Sequence, residues 1–334
     1  MRWTLVDDAS ATQGALFPED DVVDRHVGTG EFRGLEFLHV NAKSIINEVP
    51  SPSHLPFRWT VNAYRGCSHA CTYCFARPTH DYLGLNIGSD FDSKLVVKVN
   101  AVERLRSELR AKRWAGDLIA MGTNTDPYQR AEGKYHLTRG IIGVLTEVRN
   151  PFSILTKSTL ILRDLELLRR AGEVTDVRVD LSIGTLDEAT WKATEPGTPH
   201  PRQRVDAVRR LVDAGIETGV LIAPIIPGMS DGVDQLEEVT AACVGAGAAS
   251  VSAVSLFLKP GLRDHWMTWL RSARPDLVAM YERRYARGSR LPAAEQAAIS
   301  VVVGRLAVGT RHRRSGPARP AAPPPPAYEQ VRLL

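Results

Sequence analysis

Short apolar runs alternate with amphipathic stretches through the middle of this 334-residue chain. Six of these runs have the length and the bounding turn residues of β-strands, and they span residues 58–63, 118–121, 153–156, 177–182, 218–223 and 251–257. Stretches with apolar residues at helical spacing lie between them, at residues 101–113, 160–171, 202–214 and 234–244. This alternation predicts an α/β fold, with a parallel sheet and helices packed outside it.

The segments on either side of this alternation have a different character. Residues 1–30 are acidic and aperiodic, and we expect them to be disordered. Residues 31–56 hold short apolar pieces and are expected to form an N-terminal extension that packs on the central domain at 57–258. The pattern becomes helical after Pro260, which predicts a helical extension over residues 259–310, followed by a disordered Arg- and Pro-rich tail at 311–334.

The net charge of +4 is concentrated near the C-terminal end. Residues 305–334 carry six Arg and one acid, so the rest of the chain is close to neutral and offers no broadly basic platform for nucleic acid. No apolar run approaches the ~18 residues that a membrane helix needs, and Arg2 is not followed by the apolar segment of a secretory signal. Together with the low cysteine content, these features predict a cytoplasmic protein.

Three of the four cysteines lie within eight positions, in the sequence Tyr-Arg-Gly-Cys-Ser-His-Ala-Cys-Thr-Tyr-Cys-Phe-Ala-Arg at residues 64–77. Their spacing, C-x3-C-x2-C, provides Cys67, Cys71 and Cys74 as three sulfur ligands. A structural zinc site needs four ligands, so zinc would require His69 or His80 in addition. A [4Fe–4S] cluster held by three thiolates leaves one iron open for a substrate or a cofactor.

Polar segments follow the other predicted strands as well. They cover residues 122–129, 156–158, 182–185 and 223–228, and Cys67 comes directly after the first predicted strand. Because the carboxyl ends of parallel strands meet at one end of a barrel or sheet, we expect these segments to form one site.

The cysteine spacing and the aromatic Tyr73 before the last cysteine resemble the cluster motif of the radical S-adenosylmethionine (SAM) superfamily. The wider sequence at residues 64–77 resembles its DNA-repair-photolyase-like branch, which is related to spore photoproduct lyase, and the resemblance covers roughly residues 40–275. It implies an incomplete parallel (β/α)6 TIM-like barrel with a C-terminal helical extension. It also implies that Cys67, Cys71 and Cys74 hold a [4Fe–4S] cluster whose open iron binds SAM.

The resemblance further implies a reaction and a partner. An electron from a donor such as flavodoxin or ferredoxin would cleave SAM to methionine and a 5′-deoxyadenosyl radical, which abstracts a hydrogen atom from the substrate. Lys157 and Ser182 are the candidates for binding the SAM carboxylate. The candidates for the SAM amino group lie at one irregular strand end and are Gly122, Thr123, Asn124 and Thr125. This segment departs from the Gly-Gly-Glu-type motif of related enzymes, so its role is inferred from its position.

Several alternatives stay open for single residues. Tyr73 is the candidate for packing on the adenine, but an aromatic side chain there is also consistent with core packing beneath the cysteine loop. Lys157 is also consistent with a solvated strand-end lysine, and Asp126 before Pro127 with a simple turn.

The substrate is the least determined part of the sequence-based hypothesis. The branch name indicates nucleic-acid repair or modification by a lyase, but the near-neutral body adds no nucleic-acid signal of its own. A radical SAM enzyme acting on a peptide, an RNA base or a small metabolite is one alternative. A non-enzymatic zinc-binding module is the alternative from another class, and the sequence predicts no oligomeric state.

Overall fold

The computed structural model describes residues 22–50 and 55–308. Within these ranges the strands form two sheets, one with seven strands and one with four. In chain order the strands are β1 (Val22–Val27), β2 (Glu36–Val40), β3 (Ile46–Glu48), β4 (Trp59–Val61), β5 (Tyr64–Arg65), β6 (Lys94–Lys98), β7 (Ile119–Met121), β8 (Phe152–Thr156), β9 (Val177–Ser182), β10 (Thr218–Ile225) and β11 (Ser250–Ser255). None of the helices in these ranges has the length and apolarity needed to cross a bilayer.

The seven-stranded sheet carries six parallel strands in the order of the chain, β4, β7, β8, β9, β10 and β11, and β3 pairs antiparallel with β4 at one edge. Each apolar run found in the sequence overlaps one of these parallel strands. Ile119, Ile154 and Val179 in their centres are fully buried, as expected for strands covered on both faces. The prediction of a mixed α/β fold with a parallel sheet is therefore confirmed, while the number of units in an incomplete barrel stays a prediction.

Helices connect the strands as the alternating pattern predicts. They are α1 (Ser89–Ser93), α2 (Ala101–Leu109), α3 (Arg130–Tyr135), α4 (Leu137–Glu147), α5 (Leu165–Val174), α6 (Glu188–Thr194), α7 (Pro201–Asp213), α8 (Val233–Gly245), α9 (Leu262–Ala273), α10 (Val278–Arg284) and α11 (Ala293–Leu306). Local sequence sets their ends. In α7, His200 caps the amino end, Pro201 takes the first position, and Gly215 follows the last turn at φ +77°.

The four-stranded sheet has the order β1-β2-β6-β5. In it, β2 pairs parallel with β6, and β5 pairs antiparallel with β6. The prediction that Cys67 directly follows the first strand of the parallel sheet is wrong, because β4 ends at Val61 and β5 intervenes. The backbone of Tyr64 and Arg65 finds its hydrogen-bond partners on β6, so the cysteine loop is anchored to both sheets.

The first thirty residues are not uniformly without structure. Val22–Val27 form β1, paired antiparallel with β2, so the prediction of disorder is wrong for this part. Five of its six side chains are exposed, which explains why no alternation of apolar residues marks the strand in the sequence. The remaining residues of the predicted disordered N-terminus, 1–21, and the predicted tail at 311–334 lie outside the described residues.

The C-terminal helices share an apolar cluster with the cysteine loop. Trp266 and Leu270 of α9 and Tyr281 of α10 are fully buried, and they belong to the same cluster as Cys71 and Tyr73. The Tyr281 hydroxyl also donates a hydrogen bond to the carbonyl of Pro227, 3.0 Å away. These helices therefore pack against the segments that follow the carboxyl ends of β10 and β11 and against the cysteine loop.

Candidate active site

The cysteine loop winds tightly between β5 and the following turns. Cys67 and Cys71 are buried and Cys74 is half-buried. The amide of Ala70 donates to the Cys67 carbonyl at 3.1 Å, and that of Cys74 donates to the Cys71 carbonyl at 3.3 Å. Gly66 has φ +76°, and a Cβ there would lie 2.9 Å from the Phe91 carbonyl oxygen. Only glycine therefore fits at the entrance to this loop.

The three thiols lie close enough to influence one another. Burial raises the pKa of Cys67 most, and the charges of Asp126, Cys71 and Cys74 raise it further. Burial likewise raises the pKa values of Cys71 and Cys74. Because iron and zinc bind the thiolate, metal binding at this loop must displace protons.

The donor set of this loop, three free cysteines, matches the three thiolates of a cluster with one open iron. Among residues 22–50 and 55–308, no group of three or more His, Cys, Asp or Glu side chains is arranged around one metal ion. Each of the two histidines considered for zinc has one ring nitrogen engaged: His69 Nδ1 lies 3.4 Å from Asp126, and His80 Nε2 lies 3.0 Å from the Lys94 carbonyl oxygen. The other ring nitrogen of His80, Nδ1, is buried without a hydrogen-bond partner among the described residues.

The segment after β7 is fixed to the cysteine loop. The Thr125 hydroxyl donates to the Gly66 carbonyl at 2.6 Å, and Gln129, which is fully buried, donates to the same carbonyl at 3.0 Å. Gly122 has φ +90°, and a Cβ there would lie 2.0 Å from the Leu155 carbonyl oxygen. The irregular strand end predicted from the sequence therefore exists, and it lies beside Cys67.

Asn62, just after β4, holds the same segment from the other side. Its amide nitrogen donates to the Thr123 hydroxyl at 3.1 Å, and its amide oxygen accepts from the Asn124 backbone nitrogen at 3.2 Å. The ammonium group of Lys98 donates to the Asn62 carbonyl at 2.8 Å. Burial, with a smaller effect from Arg65, lowers the pKa of Lys98 to about 7. Neither Asn62 nor Lys98 is among the site residues predicted from the sequence.

Asp126 links three segments and is more than a turn residue. Its carboxylate accepts hydrogen bonds from the Thr156 hydroxyl at 2.6 Å and from the Lys157 backbone amide at 2.7 Å, and it faces His69 of the cysteine loop. Burial favours the neutral carboxyl, but the charge of His69 and these hydrogen bonds outweigh it and lower the pKa of Asp126. Its bond to the Tyr128 amide, at 2.8 Å, is the turn contact expected from the sequence.

Lys157 and Ser182 lie together at the ends of β8 and β9. The Lys157 ammonium donates to Ser182 Oγ at 2.8 Å, to the Ala223 carbonyl at 3.0 Å and to Glu195 Oε1 at 3.1 Å. An ammonium group has three protons, so each has an acceptor within the protein. Its Nζ also lies 5.6 Å from the centre of the Tyr73 ring. Lys157 is therefore a mostly buried site residue rather than a solvated one.

Glu195 is the residue that joins these groups, and sequence reasoning did not identify its role. The structure places its carboxylate in the interior, 3% exposed. The carboxylate binds the Tyr73 hydroxyl, Lys157 and Arg204. Burial alone would raise the pKa of Glu195, but the charges of Arg204 and Lys157 and the Tyr73 hydrogen bond lower it to about 2.

Arg204 of α7 completes the buried network. Its guanidinium donates to the carbonyls of Ser182 at 2.9 Å and Pro199 at 3.0 Å in addition to Glu195. Tyr73 thus points inward, and burial raises its pKa well above the usual value, with the Glu195 charge adding to the effect. All the residues proposed from the sequence lie at the carboxyl ends of neighbouring strands or in the cysteine loop.

The sequence profile of the radical SAM superfamily matches residues 61–239. An uncharacterized protein of Mycobacterium tuberculosis is 44% identical over 299 residues, which is 90% of this chain and 87% of that protein. An uncharacterized protein of Methanocaldococcus jannaschii is 32% identical over 198 residues, which is 59% of this chain and 70% of that one.

Among solved structures, a spore photoproduct lyase variant with bound AdoMet and dinucleoside spore photoproduct has a similar fold. Its TM-score is 0.60 at 16% identity, covering 82% of this chain and 79% of that one. At this identity the likeness concerns the fold.

Proposed function

Because the chain belongs to the radical SAM superfamily, whose members use a [4Fe–4S] cluster and SAM, we propose that it is an enzyme that cleaves SAM reductively and removes a hydrogen atom from a substrate. One observation carries this proposal: three mutually interacting thiols, two buried and one half-buried, lie in a loop that is hydrogen-bonded to the irregular end of β7. Such a loop holds sulfur ligands beside a polar strand-end site.

When bound, the cofactors would supply one-electron cleavage of SAM and removal of a hydrogen atom from the substrate, with methionine and 5′-deoxyadenosine as the products formed from SAM. The electron comes from a one-electron donor of the flavodoxin or ferredoxin class. The chain's own residues bind and orient the cofactors and exclude water. In this proposal Cys67, Cys71 and Cys74 would hold the cluster.

The SAM carboxylate is assigned to Lys157 and Ser182. All three protons of the Lys157 ammonium already have protein acceptors, so the SAM carboxylate must replace or share one of them. The buried carboxylate of Glu195 forms an ion pair with Lys157 that holds its ammonium group in place, and Glu195 also pairs with Arg204. When the SAM carboxylate binds, Lys157 therefore exchanges one protein acceptor for a carboxylate oxygen, and no further positively charged side chain is needed.

The amino group and the adenine are assigned to the two remaining features. Gly122, Thr123, Asn124 and Thr125 supply backbone carbonyls and hydroxyls at a strand end that Asn62 and Gln129 hold in one conformation.

For the adenine, Tyr73 supplies a ring whose position Glu195 fixes. The apolar side chains of α9 and α10 cover the cysteine loop and exclude water from it.

For the substrate, we infer that a modified or damaged nucleic acid is the first class to test, with a lyase or a related reaction. The support is the similar fold of spore photoproduct lyase, whose structure contains a dinucleoside spore photoproduct. A peptide, an RNA base or a small metabolite is the alternative class. A relative from Pseudomonas phage M6, 25% identical over 164 residues, is named as a radical SAM Nα-GlyT isomerase.

The proposal is tested by anaerobic reconstitution with iron and sulfide, reduction with dithionite, and chromatographic detection of 5′-deoxyadenosine formed from SAM. We expect formation by the wild type and by Cys243→Ala, because Cys243 is fully buried in α8 outside the site. Cys71→Ala is expected to abolish it. No 5′-deoxyadenosine from iron-loaded wild type, or equal amounts from the Cys71→Ala variant, would overturn the proposal.

A further inference from the structure

Two aromatic residues flank Cys74, and they point to different sides. Tyr73 is buried and binds Glu195, on the side of Lys157 and the strand ends. Phe75 is 47% exposed, and the ammonium of Lys259 lies 6.0 Å from the centre of its ring. Cys74 is also the least buried of the three cysteines. The surface at Phe75 is therefore where the cysteine loop comes close to the outside.

A second cation–aromatic pair continues this surface. Phe257 and Lys259 are half-buried on either side of the buried Leu258, and the guanidinium carbon of Arg290 lies 4.5 Å from the centre of the Phe257 ring. The Leu258 amide donates to the Ser289 carbonyl at 2.8 Å, which fixes the two segments together. We call the set of Phe75, Lys259, Phe257 and Arg290 the cation–aromatic stripe.

The charge of the chain is strongly divided at this point. Residues 259–290 contain eight Lys and Arg and three acids, a net charge of +5, whereas residues 1–258 contain 28 Lys and Arg and 33 Asp and Glu, a net charge of −5. In the part of the chain that the structure describes, no carboxylate lies within ion-pair distance of Lys259, Arg287 or Arg290. The exposed guanidinium groups of Arg287 and Arg290 are therefore available to an external partner, and Lys259 adds a half-buried positive charge beside Cys74.

We propose that the cation–aromatic stripe is the docking surface for a small acidic protein that carries one electron. This inference rests on the proposed function, which requires an electron at the cluster held by Cys74 and its two partners. An electron crosses protein without an open channel, but its transfer rate falls steeply with distance, so the donor must dock where the cysteine loop is near the surface. The cation–aromatic stripe includes Phe75, the exposed neighbour of Cys74, so it lies where the cysteine loop is near the surface.

The same geometry argues against the stripe as the substrate site. A substrate must reach the radical carbon of SAM, and the residues assigned to SAM lie on the inward side, toward Tyr73 and Lys157. A charged rim around a few aromatic side chains suits a small, transient electron-transfer interface, in which complementary charge raises the association rate. Single-stranded nucleic acid, which also binds aromatic and basic residues, is the rival occupant.

Docking is tested first by binding, which needs no cluster. Oxidised flavodoxin labelled with ¹⁵N is titrated with the full chain, and the dissociation constant is measured at low and high salt. We expect the Lys259→Glu/Arg290→Glu variant to weaken binding roughly tenfold, because charge complementarity changes association rates by 10- to 1,000-fold. Lys112→Glu/Arg113→Glu is the matched control: both residues are exposed in the loop before β7, at the opposite end of the sheet.

The second test compares two reductants on the reconstituted protein. The stripe variant is expected to form 5′-deoxyadenosine as fast as the wild type with dithionite, and several-fold more slowly with reduced flavodoxin. With reduced flavodoxin, the milder Lys259→Gln/Arg290→Gln variant should have a rate between those of the wild type and the stripe variant. If the wild type forms no 5′-deoxyadenosine with dithionite, the proposed function is contradicted. If the dithionite rate is normal, and flavodoxin binds all variants equally and drives them at the same rate, only the docking proposal is overturned.

A third measurement decides the rival occupant. A fluorescent single-stranded oligonucleotide is titrated with the wild type and the stripe variant. Lost oligonucleotide binding together with unchanged flavodoxin binding and flavodoxin-driven rate would assign the stripe to nucleic acid and overturn the proposal. Reduced flavodoxin binding in the stripe variant, with oligonucleotide binding unchanged, supports it.

Discussion

Tyr73 donates its phenolic hydrogen to the carboxylate of Glu195, 122 residues further along the chain. Tyr73 lies between two of the cysteines, and Glu195 also binds Lys157 from the end of β8 and Arg204 from α7. One buried carboxylate thus ties the cysteine loop to two cations and two other elements. The integrity of the candidate site should depend on this carboxylate.

The first prediction is that Glu195→Ala is severely destabilising. Removing the carboxylate leaves Arg204 buried with an uncompensated charge, and breaking a buried ion pair in this way costs about 3–5 kcal/mol in the free energy of unfolding. Urea denaturation of the apo protein measures the change. The control is Glu188→Ala, because Glu188 forms an exposed ion pair with Lys192, and such pairs contribute little to the free energy of unfolding. Equal small losses in both variants would refute the central role of Glu195.

The second prediction concerns pH. The pKa of Glu195 is about 2 in the folded protein against an ordinary value of 4.5. A carboxyl with a lowered folded-state pKa contributes stability that is present above its unfolded-state pKa and is lost as the pH falls toward the folded value. The free energy of unfolding of wild type should therefore decrease between about pH 5 and pH 2 more steeply than that of Glu195→Gln. Parallel pH profiles for the two proteins would contradict the lowered pKa.

The third prediction is that Gly122→Ala lowers the free energy of unfolding by more than the positive φ of this position alone explains. A Cβ at Gly122 would meet the Leu155 carbonyl oxygen at 2.0 Å, whereas at Gly116, with φ +78°, it would meet nothing within 4 Å. Gly116→Ala should cost about 1–2 kcal/mol from the left-handed conformation alone. Gly122→Ala should cost more and also weaken SAM binding to the reconstituted protein. If both variants lose the same stability, the close approach of β7 and β8 does not constrain Gly122.

The fourth prediction is that Lys157→Met weakens SAM binding about 10- to 100-fold, because a hydrogen bond to a charged group is worth about 1.5–3 kcal/mol. Calorimetry on the reconstituted protein measures the dissociation constant. Lys192→Met removes an exposed lysine and serves as the control, and Lys157→Arg should restore part of the affinity. An unchanged dissociation constant in Lys157→Met would assign the SAM carboxylate to another residue.

The sequence predicted the elements of the parallel sheet because each strand carries its own local signal. The run at 177–182 matches β9 at both ends, and the run at 218–223 falls within Thr218–Ile225. The edge strand β1 was not predicted because its side chains are exposed and show no apolar alternation. Its stability comes from pairing with β2, which a local sequence pattern does not reveal. The same holds for β5, whose two residues are too few to show a period.

The candidate site was predicted where residue type and strand-end position coincide, as at Lys157 and Ser182, which lie within hydrogen-bond distance. The sequence could not predict that Glu195 and Arg204 complete this group. Glu195 lies in a Pro-rich turn that resembles an ordinary surface loop. Its partners Lys157 and Tyr73 are 38 and 122 positions away, and only Arg204 is near in the sequence, nine positions on. Whether a charged residue is buried depends on how distant segments of the chain pack together, so local residue spacing does not predict it.

The central claim is that Cys67, Cys71 and Cys74 hold a [4Fe–4S] cluster with an iron that binds SAM. The most direct measurement is electron paramagnetic resonance of the anaerobically reconstituted, reduced protein with and without SAM, together with iron, sulfide and zinc counts. The account predicts about four irons per chain, a signal that SAM perturbs, and loss of both in Cys71→Ala but not in Cys243→Ala. Stoichiometric zinc, with no iron uptake and no spectral response to SAM, would contradict it and make the three cysteines part of a structural site.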